Sequence, residues 1–195
     1  MALFSGFAKK LMFARELKMG EGRIEILHQR VIIIPSQYFN AIIETSLNDK
    51  SFESKVYEHL KSAVYTFCKE LDKKFKLRGK KLEETLVNLT EMNGYGKLKI
   101  IKDDPQNKVA ILHISDLPSI QVKGKVKGFG DMYWAGILAG GISYVYGTDV
   151  DCIETKCILK NSPFCEFVAA KKENLIEKFG AKYGNRYRQI LQGTG

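Results

Sequence analysis

Hydrophobic residues are dense near the start of the chain. They fall in two runs, residues 11–19 and 23–35, on either side of the glycine-bearing stretch GEG. Runs rich in Ile, Val, Leu and Phe around a turn predict a β-hairpin, and Val31-Ile32-Ile33-Ile34 is its densest β-branched part. After Pro35 the period changes. SQYFNAIIETSL reads as a helix with Ser36 as candidate N-cap. A second helix, capped by Ser51 or Ser54, carries Val56, Leu60, Val64, Phe67, Leu71 and Phe75 at helical spacing. A third starts near Lys81, keeps Leu82, Leu86, Leu89 and Met92 in register, and stops at Asn93-Gly94.

The pattern then turns to period two. Residues 97–101 (KLKII) and 109–114 predict strands joined by the turn DDPQN, while 121–126 alternates Val and Lys and reads as a third strand or part of a loop. Residues 132–148 carry no charge. At that length, and with four glycines, the segment is short for a membrane span of about 20 residues and predicts a buried central helix. Gly136, Gly140, Ser143 and Gly147 form a small-residue face that lets another backbone approach closely. Trp134, Leu138, Ile142 and Val145 form an apolar face that needs a core. Residues 150–159 and 164–170 predict paired strands around the turn KNSP, and helical patterns follow from Glu173 and over 187–191. Strands and helices do not alternate regularly. The expectation is an α+β fold, an antiparallel sheet packed with several helices around a central glycine-rich helix, plus the N-terminal hairpin.

A chain of 195 residues suits one domain with appendages and buries a core without staples. The formal net charge of +9 favours anionic partners. The lysines are scattered, however, and rarely interleave with aromatics, so the charge reads as a solvated surface and nucleic acid is an unlikely partner. Lys9 and Lys10 interrupt the apolar N-terminus, so no secretory leader is expected. The expected setting is the reducing cytoplasm, where clustered cysteines lean towards metal binding or reactivity.

Three of the four cysteines lie in CIETKCILKNSPFC, residues 152–165. Cys157 and Cys165 flank a turn, so two strand ends could bring their sulfurs together, with Glu154 supplying an oxygen to a tetrahedral zinc. A Cys157–Cys165 disulfide, a reactive thiol beside Lys156 or Lys160, and plain apolar cysteines in a sheet are the other readings. Asp149 and Asp151 could share a strand face, but solvated aspartates are the simpler reading, and His28, His59 and His113 read as satisfied side chains rather than catalysts. No phosphate-binding loop, H-E-x-x-H, G-x-S-x-G or dinucleotide fingerprint is present.

The run DMYWAGILAGGISYVYGTDVDCIETKCILKNSPFCEFVAA resembles the 4-vinyl-reductase (hydrocarbon-binding) domain family, in the manner of its stand-alone archaeal-type members. The features that match are W-x-G-x-x-x-G, E-x-x-C and the closing C-x7-C-x-F. Resemblance covers residues 82–170 in outline and is sharp over 131–167. The family includes sensory domains of phenol- and toluene-responsive transcription activators and is similar in fold to subunits of a vesicle-tethering complex and to nitric-oxide-sensing haem domains. It implies zinc held by three cysteines and a glutamate. Glu154, Cys157 and Cys165 match three of these positions, and Asp131 stands by spacing where the remaining cysteine belongs, unless Cys152 replaces it from the strand. It also implies homodimers and a pocket for a hydrophobic small molecule, with Phe129, Tyr133 and Trp134 as wall residues. The division that follows is residues 1–35 as a dimerisation arm and 36–195 as a ligand-binding domain. The leading expectation is a non-enzymatic binding or sensor module. The alternatives are an enzyme or accessory protein acting on a tetrapyrrole-like vinyl group, for which no hydride-donor motif is present, and a nucleic-acid-binding protein.

Overall fold

The computed structural model describes residues 6–20, 22–122 and 129–177. The chain opens with α1 (Gly6–Phe13), β1 (Leu17–Gly20), β2 (Arg23–Ile26) and β3 (Gln29–Val31), and the three strands form one antiparallel sheet. Three helices follow, α2 (Ser36–Asn48), α3 (Lys50–Phe75) and α4 (Gly79–Met92). The second sheet comprises β4 (Lys97–Asp104), β5 (Val109–Ser115), β6 (Asp151–Lys156) and β7 (Cys165–Ala170), antiparallel in the order β4-β5-β7-β6. Between β5 and β6 run a short 3-10 helix (Pro118–Val122) and α5 (Met132–Tyr146). The fold is α+β, as the pattern predicts.

The N-terminal unit departs from the expected two-stranded hairpin. Residues 11–13 belong to α1, and the second run breaks into two strands at Leu27 and His28, whose φ angles are 53° and 60°. A two-residue turn with both residues left-handed suits a hairpin, but Gly or Asn normally fills it. Here tertiary contacts hold the geometry. Leu27 is buried with Ile26, Cys68, Leu71 and Leu82. His28 stacks on Phe75 at 5.7 Å and pairs with Glu16 at 3.2 Å. Ile32 and Ile33 lie beyond β3 and are 75% and 80% exposed. The sheet therefore packs on α3 and α4 of its own chain.

Asp49, rather than Ser51 or Ser54, caps α3, its Oδ1 accepting from the Phe52 N–H at 3.1 Å. The closing strands are shorter than the pattern suggests: β6 stops at Lys156, residues 158–160 form a 3-10 turn after it, and β7 starts at Cys165. Residues 121–122 close the first 3-10 helix, while 123–126 and the expected helix over 187–191 lie outside the described residues; 172–177 are helical.

α5 is the centre of the body, as expected. Its small-residue face meets α3. A Cβ on Gly136 would stand 2.6 Å from the Tyr57 carbonyl oxygen, and one on Gly140 would stand 2.3 Å from that of Lys61. Only hydrogen fits at such distances. Ser143 Oγ accepts from the Val150 N–H at 3.0 Å, fixing the chain's return into β6. Asp151, far from being solvated, is buried and accepts from Tyr57 Oη at 2.9 Å and Lys61 Nζ at 2.7 Å. These bonds pin α3 to β6. No helix among the described residues is long and apolar enough to cross a membrane.

Candidate functional site

Two features stand out, a cluster of four acidic side chains and an apolar cavity, and both are built on α5. Asp131 immediately precedes the helix, and its backbone N–H donates to Glu154 Oε2 at 3.3 Å. Glu154 lies on the inner face of β6, opposite Phe167 of the core. The pairing of β6 with β7 is irregular between Glu154 and Lys156, and an irregularity of this kind re-aims the chain next to it. Cys157 leaves β6 at that point, and Cys165 opens β7. Ligand atoms of Asp131, Glu154, Cys157 and Cys165 all lie within 4.8 Å of one another, and all four residues are buried. Cys165 Sγ is 3.0 Å and Cys157 Sγ 3.9 Å from Asp131 Oδ2. The Ile158 N–H donates to Cys165 Sγ at 3.2 Å.

Four acidic groups sharing one buried space cannot all ionise. Burial first, then the neighbouring Asp131 and Cys157, push the Glu154 carboxyl well above the usual carboxylate range. A hydrogen bond from Cys165 draws the Cys157 thiol down to about 6, and the same bond pushes Cys165 up. A divalent cation resolves the conflict, because it neutralises charge that the core otherwise has to hold as protons. Two thiolates and two carboxylates make an acceptable zinc set, whose donor atoms lie roughly 3.3–3.8 Å apart around a tetrahedral ion. The residues therefore fit the metal that the resemblance implies. Cys152 lies outside this group. It sits on the inner face of β6 within the main core, and its N–H donates to Tyr57 Oη at 3.0 Å. All four cysteines are free thiols.

The cavity has a volume of about 240 Å³. α5 lines it along one side, and α3, α4, β4, β5 and the inner face of the N-terminal sheet complete it. Trp134 is a wall residue. Phe129 and Tyr133 are not among those that line it. Tyr133 is one position round the helix and packs on Phe39 of α2, ring centroids 5.8 Å apart, while Lys160 Nζ lies over the Phe129 ring at 4.4 Å. Wall residues such as Ile26, Val31, Leu86 and Leu98 carry no motif. Their only signal in the sequence is membership of apolar stripes, which serve ordinary packing equally well. His113 is satisfied, as expected, 2.9 Å from Glu166 and stacked on Phe164 at 4.0 Å.

No family model matches the chain, and no curated protein matches it. Solved structures do. The phenol-responsive sensory domain of the transcription activator PoxR, crystallised with phenol, superposes with a TM-score of 0.71 at 16% identity, covering 94% of this chain and 98% of that one. A trafficking protein particle complex subunit 3 from Naegleria fowleri, covalently bound to palmitic acid, gives 0.51 at 12% identity over 69% of this chain and 91% of that one. A vinyl-4-reductase family protein from Methanocaldococcus jannaschii gives 0.49 at 17% identity over 87% and 97%. The fold implied by the sequence resemblance is thus the fold observed, and the chain shares the architecture of the PoxR sensory domain over almost its whole length.

Proposed function

We propose that the protein is a non-enzymatic binding or sensor module that takes a hydrophobic small molecule into the cavity along α5. Zinc held by Asp131, Glu154, Cys157 and Cys165 ties that helix to the β6–β7 hairpin. The observation that carries the reading is the cavity itself, walled by seven helices and strands and lined mostly by apolar side chains. Ligand pockets are concave and mostly apolar with a few polar groups, and this one has that character. The phenol carried by the PoxR domain, at 16% identity, supports the same kind of use of the same architecture. Homodimerisation through residues 1–35 belongs to the proposal and is supported by the exposed Phe13, Ile32 and Ile33. Four free thiols suit the reducing cytoplasm. Residues 36–195 supply most of the binding domain, although Ile26 and Val31 also reach the cavity.

Native mass spectrometry of protein purified without chelator tests these points together. The expected result is one zinc per chain, a dimer mass, and retention of an apolar probe such as naphthalene or Nile red. Protein that binds neither probe does not use the cavity for ligands.

A further inference from the structure

The residues that line the cavity reach far along two helices. Its wall on α5 runs from Trp134 through Leu138, Gly141 and Val145 to Tyr146, about 18 Å along the helix axis. On α4 and its C-cap it runs from Glu83 to Asn93, about 15 Å. A lining of that span leaves room for an extended aliphatic chain in a cavity of about 240 Å³.

The two ends differ in chemistry. At one end Trp134 is buried and Tyr95 meets it edge-on at 5.7 Å. At the other stand two carboxylates, Glu83 and the exposed Asp103. Tyr146 Oη donates to Asp103 Oδ1 at 2.7 Å and leaves its second oxygen for another donor. Tyr146 is also the last residue of α5, so the negative end of the helix dipole lies here. Lys108 Nζ donates to the Tyr146 carbonyl at 3.0 Å and offsets part of that charge. No lysine or arginine is among the residues lining the cavity. Burial first, then Asp103, push the Glu83 carboxyl up, and Lys80, one helical turn away, offsets part of that rise.

We infer that the cavity takes one linear aliphatic chain ending in a hydrogen-bond-donating head, a primary amine above all, with the head seated between Glu83 and Asp103. A carboxylate head meets two like charges there and is disfavoured. This inference rests on the cavity being the ligand site. The net charge of +9 gives the protein no general attraction for cations, so a preference for the amine has to come from this end of the cavity.

The test measures binding of dodecylamine, dodecanol, dodecanoate and naphthalene to the full chain at neutral pH, each below its aggregation limit, by displacement of Nile red. Dodecylamine is expected to bind at least about tenfold more tightly than dodecanoate, with dodecanol between them. The double variant Glu83→Gln, Asp103→Asn is expected to erase the preference while keeping dodecanol. Gly141 lies midway along the cavity, and a Cβ there meets Leu86 Cδ1 at 3.4 Å and Val64 Cγ1 at 3.9 Å, ordinary contacts. Gly141→Ala is therefore expected to fold and serves as the control, and Gly141→Leu, shown to be folded by circular dichroism, is expected to block the long chains and to spare naphthalene. Dodecanoate binding as tightly as the amine, or a preference that survives the double variant, overturns the inference. Naphthalene bound with no alkyl compound bound overturns it and leaves the cavity reading standing. Failure of all four compounds and the dye removes both.

Discussion

At Asp131 a carboxylate stands where the resemblance implies a thiolate, and its Oδ2 contacts both cysteine sulfurs of the cluster. Zinc favours sulfur-rich sets, so Asp131→Cys is expected to tighten zinc binding, measured by competition with a chromophoric chelator. Cys157→Ser is expected to lose the metal and lower stability by several kcal/mol, read by metal analysis and thermal unfolding. Cys152→Ala is expected to leave one zinc in place. Its cost is that of a small core truncation, because Cys152 sits in the core and outside the four. Glu154, Cys157 and Cys165 were legible because they lie within twelve positions of one another around a single turn. Asp131 is 23 positions upstream of Glu154, and nothing in local spacing links the two. Only the resemblance pointed to it, and the packing of α5 against the hairpin brings it, and not Cys152, beside Glu154, Cys157 and Cys165.

Among elements, the small-residue face of α5 was the clearest sequence signal, because close backbone approach admits few residue types. Gly140→Ala places a methyl group 2.3 Å from the Lys61 carbonyl oxygen, and backbone cannot move aside as a side-chain tip can. It is expected to destabilise by about 1–3 kcal/mol or more. Gly141→Ala, one position on, is expected to cost little, and urea denaturation of the pair reads the contrast. The N-terminal sheet was less legible. Its second turn uses Leu27 and His28 in a left-handed conformation that costs roughly 1–2 kcal/mol per residue. Local preference argues against such a turn. Burial of Leu27 and the stacking of His28 on Phe75 outweigh it, and both contacts come from helices more than 40 positions away.

For the whole molecule, the resemblance implied a pocket and named Trp134 in its wall, but the rest of the wall escaped sequence reading because it is assembled from seven helices and strands, each of which contributes only a few ordinary apolar residues. Deleting residues 1–35 removes Ile26, Gln29 and Val31 from that wall. The expected outcome is loss of apolar-probe binding together with a monomeric or insoluble product, seen by dye fluorescence and size-exclusion chromatography. Acidification competes with zinc for the thiolates, so metal is expected to leave as pH falls and to stay bound above neutrality, followed by dialysis and metal analysis. The glycine contacts between α3 and α5 have a mechanical consequence. With Gly136 and Gly140 against the α3 backbone, and Tyr57 and Lys61 bonded to Asp151, these two helices and β6 form one rigid body with no soft side-chain layer to shear. Any widening of the cavity for a guest therefore falls to the opposite bank, α4 and the N-terminal sheet, and amide exchange is expected to be faster there than in α3, α5 and β6.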